Sequence, residues 1–382
     1  MANTLKFGNE NWATQKDSIL AYNDENANFK PLPFVTSRAS TATRVNKLGL
    51  IETVASGIPR VDYLGNTKGA LLLEPQSTNL LQYSEDFSQS IWGKDASVTI
   101  SSDYVISPDG TLNADRFVKP STAGLEGITQ NQFGLSAGTY TFSIYLKSNT
   151  SENQIAYLLY ANLQSKEVTV TNEWQRFEVS FSAITTVDYI GIVETFGESS
   201  LDISLYGAQL EQKSYASSLI PTNGSAVTRL AESATGSGDA STFNDSEGVL
   251  FAEISALAND SYRYISLSDG TNSNNVRFNL SPTPNQISFE VNSGGSLQSV
   301  YTNNTDVLFN TKLCIKYKQN DFSIYINGSK VHTDSSGLTP IGLDRINFDR
   351  GTGGNPFYGK IKQLQYYNTE LSNAELVTLT TI

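Results

Sequence analysis

The chain has 382 residues, 17% of them charged and 10% aromatic, with 19 Tyr, 18 Phe and one each of Cys, His and Met. That length sets an expectation of two to three domains, and a net charge of −12 argues against nucleic acid and anionic membranes, both of which call for a basic surface. A lone cysteine allows no internal disulfide, and one His with one Cys cannot make up a zinc ligand set.

Residues 1–80 read as an extended β-rich arm. Phe7, Trp12, Phe29 and Phe34 follow no helical period, and Pro31 and Pro33 enforce an extended path. Residues 45–51 suggest two short strands around a turn at Asn46 to Gly49, and residues 61–73 a hairpin through Gly65-Asn66. Too few large apolar residues are present for an independent core, so completion by a neighbouring subunit or by the following sandwich is expected. The stretch 69–87 holds two apolar clusters, 70–73 and 80–81, separated by Pro75 and a polar Gln76-Ser-Thr-Asn79. Pro75 has no N–H to give to a ladder, so a strand ends there and a new module begins.

Residues 81–220 contain strand after strand. Runs 140–146 and 174–181 alternate with period two, and 154–160, 188–194 and 201–210 continue the pattern, punctuated by Gly134, Gly138, Asn149 and Gly197. Residues 221–242 read as a linker rich in small residues. Residues 243–382 open with a strand at 248–255. The clearest local signal follows: 312–318, a turn at 319–321, 322–326, then Asn327-Gly328 and 330–332. Further strands are expected at 344–349 and 360–367. Residues 371–379 form a short helix capped by Ser372, with Glu375 reaching back. The expected fold class is all-β: an N-terminal arm, two β-sandwich (jelly-roll) domains and a short C-terminal helix.

Three resemblances accompany these patterns. Thr43-Arg-Val-Asn-Lys-Leu-Gly-Leu-Ile-Glu52, then Leu71-Leu-Leu-Glu-Pro-Gln-Ser-Thr-Asn-Leu-Leu81, Tyr83-Ser-Glu-Asp-Phe87 and Trp92 resemble a segment of phage virion fibre and tail-type proteins and of some bacterial surface proteins. Gly138-Thr-Tyr-Thr-Phe-Ser-Ile-Tyr-Leu-Lys147, Glu173-Trp-Gln-Arg-Phe177 and Ile203-Ser-Leu-Tyr-Gly-Ala-Gln-Leu-Glu211 resemble jelly-roll carbohydrate-binding modules. Residues 246–376, through Tyr264-Ile-Ser-Leu-Ser-Asp-Gly270, Asn320-Asp-Phe-Ser323 and Phe357-Tyr-Gly-Lys360, resemble a laminin G-like or concanavalin A-like lectin domain. The resemblances imply a virion surface component of sugar-binding ancestry.

Catalytic signals are weak. Glycosidases need two nearby carboxylates, whereas the adjacent Glu85 and Asp86 would point to opposite faces of a strand, and Asp245 and Glu247 precede a strand at a surface turn. His332, the one histidine, reads as a solvent-facing turn residue, and Cys314 as a small apolar core residue. Gly351-Thr-Gly-Gly354 lacks the Lys-Ser/Thr and helix of a phosphate loop. Asp269-Gly-Thr-Asn-Ser-Asn-Asn275 reads as an Asx-rich turn rather than a calcium loop.

Sugar binding asks for exposed aromatic faces ringed by amides and carboxylates. Trp92, Tyr157 and Tyr160 in the first sandwich and Tyr262, Tyr301 and Tyr358 in the second are the contact candidates, each weighed against a core role. Trp174 sits in a segment that the resembled modules use for packing. By the same resemblance Glu85, Asp86 and Asp202 are candidate ligands of a structural Ca2+. The expected function is non-enzymatic: a virion surface protein, head or tail fibre or decoration, contributing to host-surface or glycan binding. Its expected partners are other virion proteins through the arm and a host glycan, in a homo-oligomer (trimer or dimer), with no nucleic acid and no membrane insertion. Without a signal-peptide or membrane-spanning run, assembly in the host cytoplasm and release by lysis follow. The rivals are a purely structural virion brace, and a secreted or cell-surface bacterial adhesin or accessory carbohydrate-binding protein.

Overall fold

The computed structural model describes residues 4–23, 28–120, 126–161, 164–183, 187–194 and 200–382. Gly197, an expected break, lies outside them. The described residues are strands and turns with one short helix, Asn373–Thr380. Contacts divide the chain into two units. One comprises Met1–Ser40, Val54–Pro75 and Ala231–Ile382, the other Thr41–Thr53 and Gln76–Leu230. The expected break at Pro75 is therefore a unit boundary.

The second unit is a sandwich of two five-stranded antiparallel sheets. One runs Gly93–Lys94, Glu126–Phe133, Val187–Glu194, Gln154–Tyr160, Gln164–Val170. The other runs Thr99–Ile106, Leu112–Lys119, Leu201–Glu211, Thr139–Ser148, Gln175–Ser182. Period-two alternation sends Phe117, Ile128, Phe142, Ile144, Leu158, Ile192 and Leu205 into the space between them. The outer face of the second sheet is covered, because Ile51 and Leu219 pack on Ala114 and Tyr206, with Val45 and Trp174 alongside. Thr43 Oγ1 donates to the Leu219 carbonyl at 2.6 Å.

In the other unit a large sheet runs Ser233–Thr235, Asn28–Ser37, Ser18–Asn23, Leu5–Gly8, Gly359–Tyr367, Glu247–Ala256, Thr311–Lys318, Phe322–Ile326, Ser329–Asp334. A small sheet runs Ser296–Asn304, Gln286–Ser293, Asn275–Leu280, Arg263–Ser268, Arg345–Asn347. Leu250, Ile265, Phe278, Phe289, Leu313 and Leu364 fill the space between. Phe251, Cys314, Tyr325 and Tyr367 point the other way and are covered by Leu371 and Leu376 of the C-terminal helix segment. Ser372 caps that helix, with Glu375 completing the box. The Asn327-Gly328 turn has φ of 48° and 82°, both left-handed as a type I′ hairpin requires.

The arm expected over 1–80 is corrected: it is no separate element. Leu5–Gly8 pairs with Gly359–Tyr367 in the register Leu5↔Tyr366 to Gly8↔Gln363. Leu5, Phe7, Ile19, Phe34, Leu71 and Leu73 are buried in the same core as the C-terminal strands. These segments have too little apolar surface for a core of their own, and strands near the other end of the chain supply the rest. Residues 41–53 belong instead to the second unit. The expected 221–242 linker is also revised, since Val227–Arg229 pairs with Ser77–Asn79 and Ser233–Thr235 with Asn28–Ser37, and the units change over between Leu230 and Ala231.

Candidate functional site

The small sheet of the first unit turns a polar face away from the core. On Arg263–Ser268, Ile265 and Leu267 point inward, so Tyr264, Ser266 and Ser268 point outward. On Asn275–Leu280 the outward set is Asn275, Arg277 and Asn279, and on Gln286–Ser293 it includes Ser288, Glu290 and Asn292. The register aligns Asn347, Ser266, Arg277 and Glu290 in one cross-strand row and Tyr264, Asn279 and Ser288 in the next.

Glu290 is fully engaged there. Arg277 Nε donates to its Oε2 at 2.7 Å, and Asn279 Nδ2 to its Oε1 at 2.7 Å. The Arg277 and Arg350 guanidiniums lie 5.2 and 5.8 Å from the Tyr264 ring centroid. Burial pushes the Tyr264 phenol pKa up, Glu290 adds to the rise, and the two arginines oppose it. Segment 350–355 folds over the inner part of the face, closed by Arg350 N–H donating to Gly354 O at 2.9 Å. Gly351 has φ of 95°, and a Cβ there would stand 2.8 Å from Ser268 Oγ, so the close approach requires glycine. Ser266 Oγ, Asn279 Oδ1 and Arg350 Nε are buried with no hydrogen-bond partner among the described residues. Tyr262, which immediately precedes the first of these strands, is 50% exposed.

Of the aromatic candidates, Tyr262 alone combines broad exposure with this polar face. Trp92 is corrected to a core residue: it is 1% exposed, its ring centroid lies 5.0 Å from that of Phe87, and its Nε1–H donates to Tyr83 O at 2.8 Å. Tyr160 also packs into the second unit's core, 5.5 Å from Phe181. Tyr301 and Tyr358 are half-buried against the first unit's core. Tyr301 has one face covered by the parallel ring of His332 at 4.7 Å, and Arg263 stands 5.1 Å from the Tyr358 centroid. His332 is therefore no solvent-facing turn residue: it sits on an edge strand beside the edge of the opposite sheet. Tyr157 lies on the outer face of the second unit's first sheet, its hydroxyl donating to Glu167 Oε2 at 2.9 Å.

The calcium candidates do not assemble. Among the described residues no three His, Cys, Asp or Glu side chains are grouped to hold a metal ion. Asp202 accepts from Arg116 Nε and Nη2 at 2.8 and 2.6 Å, which holds its pKa below the usual carboxylate range. Asp86 accepts from Ser88 and Gln89, while burial raises the Glu85 pKa despite its hydrogen bond with Tyr206. Beside Asp86, the carbonyls of Ser88, Gln89 and Trp92 accept from the Lys94 ammonium at 3.1, 3.0 and 3.0 Å. Asp269 caps an Asx turn through Thr271 N–H at 2.8 Å.

Sequence reasoning passed over Ser266, Arg277, Asn279, Glu290 and Arg350. A signal existed: three successive strands carry polar or charged residues at every outward position, more than solvent contact requires.

Residues 250–377 match the concanavalin A-like lectin/glucanases superfamily. No curated protein matches the chain. Among solved structures, a CBM40 of Ruminococcus gnavus IT-sialidase bound to α2,3-sialyllactose is 16% identical, over 36% of this chain and 84% of that one, with a TM-score of 0.31. Mouse laminin α1 domains LG4-5 are 11% identical over 76% and 94%, with a TM-score of 0.25. The CBM22 tandem of Paenibacillus barcinonensis Xyn10C is 10% identical over 76% and 98%, with a TM-score of 0.27. The all-β chain thus contains, at residues 250–377, a segment similar to the concanavalin A-like lectin/glucanases superfamily, lying within the unit that carries the polar face.

Proposed function

We propose that the protein is a non-enzymatic glycan-binding surface protein and that the polar face of the small sheet, with Tyr262 at its edge, is its contact surface. The observation that carries this reading is a sheet face whose partly exposed outward positions include Asn279, Ser288 and Glu290, next to the half-exposed Tyr262 ring. Sugars are bound in that way, with hydroxyls meeting fixed polar atoms and a C–H face meeting an aromatic ring. Glu290, the carboxylate of the row, is held by Arg277 and Asn279 and is unsuited to acid–base work, which in glycosidases takes two carboxylates. The match to a lectin/glucanase superfamily over this unit supports the reading.

The setting we propose is a virion surface, supported by the resemblance of segments 43–52 and 71–92 to phage fibre and tail-type proteins. There, modest single-site affinity would be multiplied by copy number. The homo-oligomer loses the support of a coreless arm, because those residues complete a core within the chain. Tyr157 and Glu167 offer a second, smaller contact in the other unit.

The test is a glycan panel probed with the full chain at high valency, beside Tyr262→Ala and Asn279→Ala. Binding lost in both variants is expected, with thermal unfolding unchanged for Tyr262→Ala. Absence of binding by the wild-type chain would favour the structural brace.

A further inference from the structure

A guanidinium without a counter-ion at the polar face points to the class of ligand. Arginines on the small sheet and its adjoining loops come with carboxylates. Arg263 pairs with Asp260, Arg277 with Glu290 and Arg345 with Asp344. Arg350 does not: among the described residues its guanidinium has no ion pair and no hydrogen bond, and its Nε is buried. It stands over the Tyr264 ring opposite a row whose one carboxylate, Glu290, is already matched by Arg277. The nearby Asp349 is turned to the backbone instead, accepting from Gly351 N–H at 2.6 Å. Arg350 is therefore the one guanidinium of this group that, among the described residues, no carboxylate pairs.

A guanidinium partly removed from water without a counter-charge is costly. The cost is offset when an anion accepts two parallel N–H bonds from the planar fork.

Resting on the glycan-binding reading above, we propose that the sugar recognised at this face carries a carboxylate and that Arg350 is the residue that binds it. Neutral sugars of the same shape would lack the charge that offsets Arg350. The carboxylate would lie across the guanidinium, with the ring towards Tyr262.

The experiment uses the full chain on paired probes, each uronic or sialic acid glycan beside its carboxyl-reduced counterpart, for wild type, Arg350→Gln and Arg350→Lys. Wild type is expected to bind an acidic member roughly ten- to hundredfold more tightly than its neutral partner, the range for hydrogen bonds to a charged group, and less tightly as salt rises. Arg350→Gln removes that preference. Arg350→Lys keeps part of it, since the charge remains but the fork is lost. Equal binding of acidic and neutral members, with Tyr262 still required, would overturn the carboxylate assignment and leave the glycan reading intact. Preference for acid that survives Arg350→Gln would assign the anion to another residue and also overturn it. No binding to any probe would overturn both readings.

Discussion

Arg60 and Glu232, 172 positions apart in sequence, form a fully buried ion pair. Arg60 Nε donates to Glu232 Oε1 at 2.8 Å and its Nη2 reaches Oε2. Arg38 Nη1 donates to the same carboxylate at 2.7 Å, and Arg60 Nη2 to Glu74 Oε2 at 2.7 Å. Two arginines and two glutamates from three chain segments thus tie the N-terminal residues to the C-terminal sandwich. A recess of about 10 Å3 beside them is too small for a ligand and roughly the size of one water. The cluster is a structural joint.

Glu232→Ala should destabilise the first unit by about 3–5 kcal/mol, because it leaves Arg38 and Arg60 buried with a single carboxylate between them. Urea unfolding followed by probes in each unit checks this. An unchanged first-unit midpoint would show that the guanidiniums find other partners.

Deleting residues 1–23 should disrupt the first unit rather than merely free a tether. Leu5, Phe7 and Ile19 are each at most 3% exposed, and burial of such side chains stabilises by about 1.5–3 kcal/mol apiece. Limited proteolysis of the shortened chain should cut within 231–382. Protection equal to that of the full chain would contradict the shared core.

Asp115 gives the second unit a pH dependence. Its carboxyl is 1% exposed, and burial pushes its pKa up to about 6 even though Phe87 and Asp103 N–H groups donate to it at 2.7 and 3.1 Å. The folded state therefore holds this proton between about pH 4 and 6 where the unfolded chain has released it. Stability from this group is present below about pH 4 and lost as pH rises through 6, by up to about 3 kcal/mol. The wild-type minus Asp115→Asn difference in unfolding free energy, measured at pH 4 and pH 7, should show that slope, and parallel pH profiles would refute it.

Lys94→Ala should lower the melting temperature of the second unit. It leaves the carbonyls of Ser88, Gln89 and Trp92 without their common donor, a loss of about 0.5–1.5 kcal/mol. Wild type should melt at the same temperature with calcium or with chelator, since Lys94 already stands near Asp86 and Arg116 pairs with Asp202. A chelator-sensitive wild type would refute the ammonium's role.

Some of this protein could be read from the sequence alone. Alternation in 154–160 and 312–318, the Asn327-Gly328 turn and the Ser372–Glu375 cap are local signals, each set by backbone preference and side-chain period, and the elements stand where the sequence places them. Pro75 marked a boundary because a missing N–H ends a strand wherever it falls.

Strand partners were a different matter. That Leu5–Gly8 lies against Gly359–Tyr367 depends on which distant apolar face is left uncovered, and no local pattern encodes it. The same limit applies to the candidate face. Trp92 and Tyr262 look alike in sequence, yet one fills a core and the other stands at the edge of a polar row. Ser266, Arg277, Glu290 and Arg350 become neighbours only when register and a folded-over loop bring them together, because partnership between charges is set by distance in space.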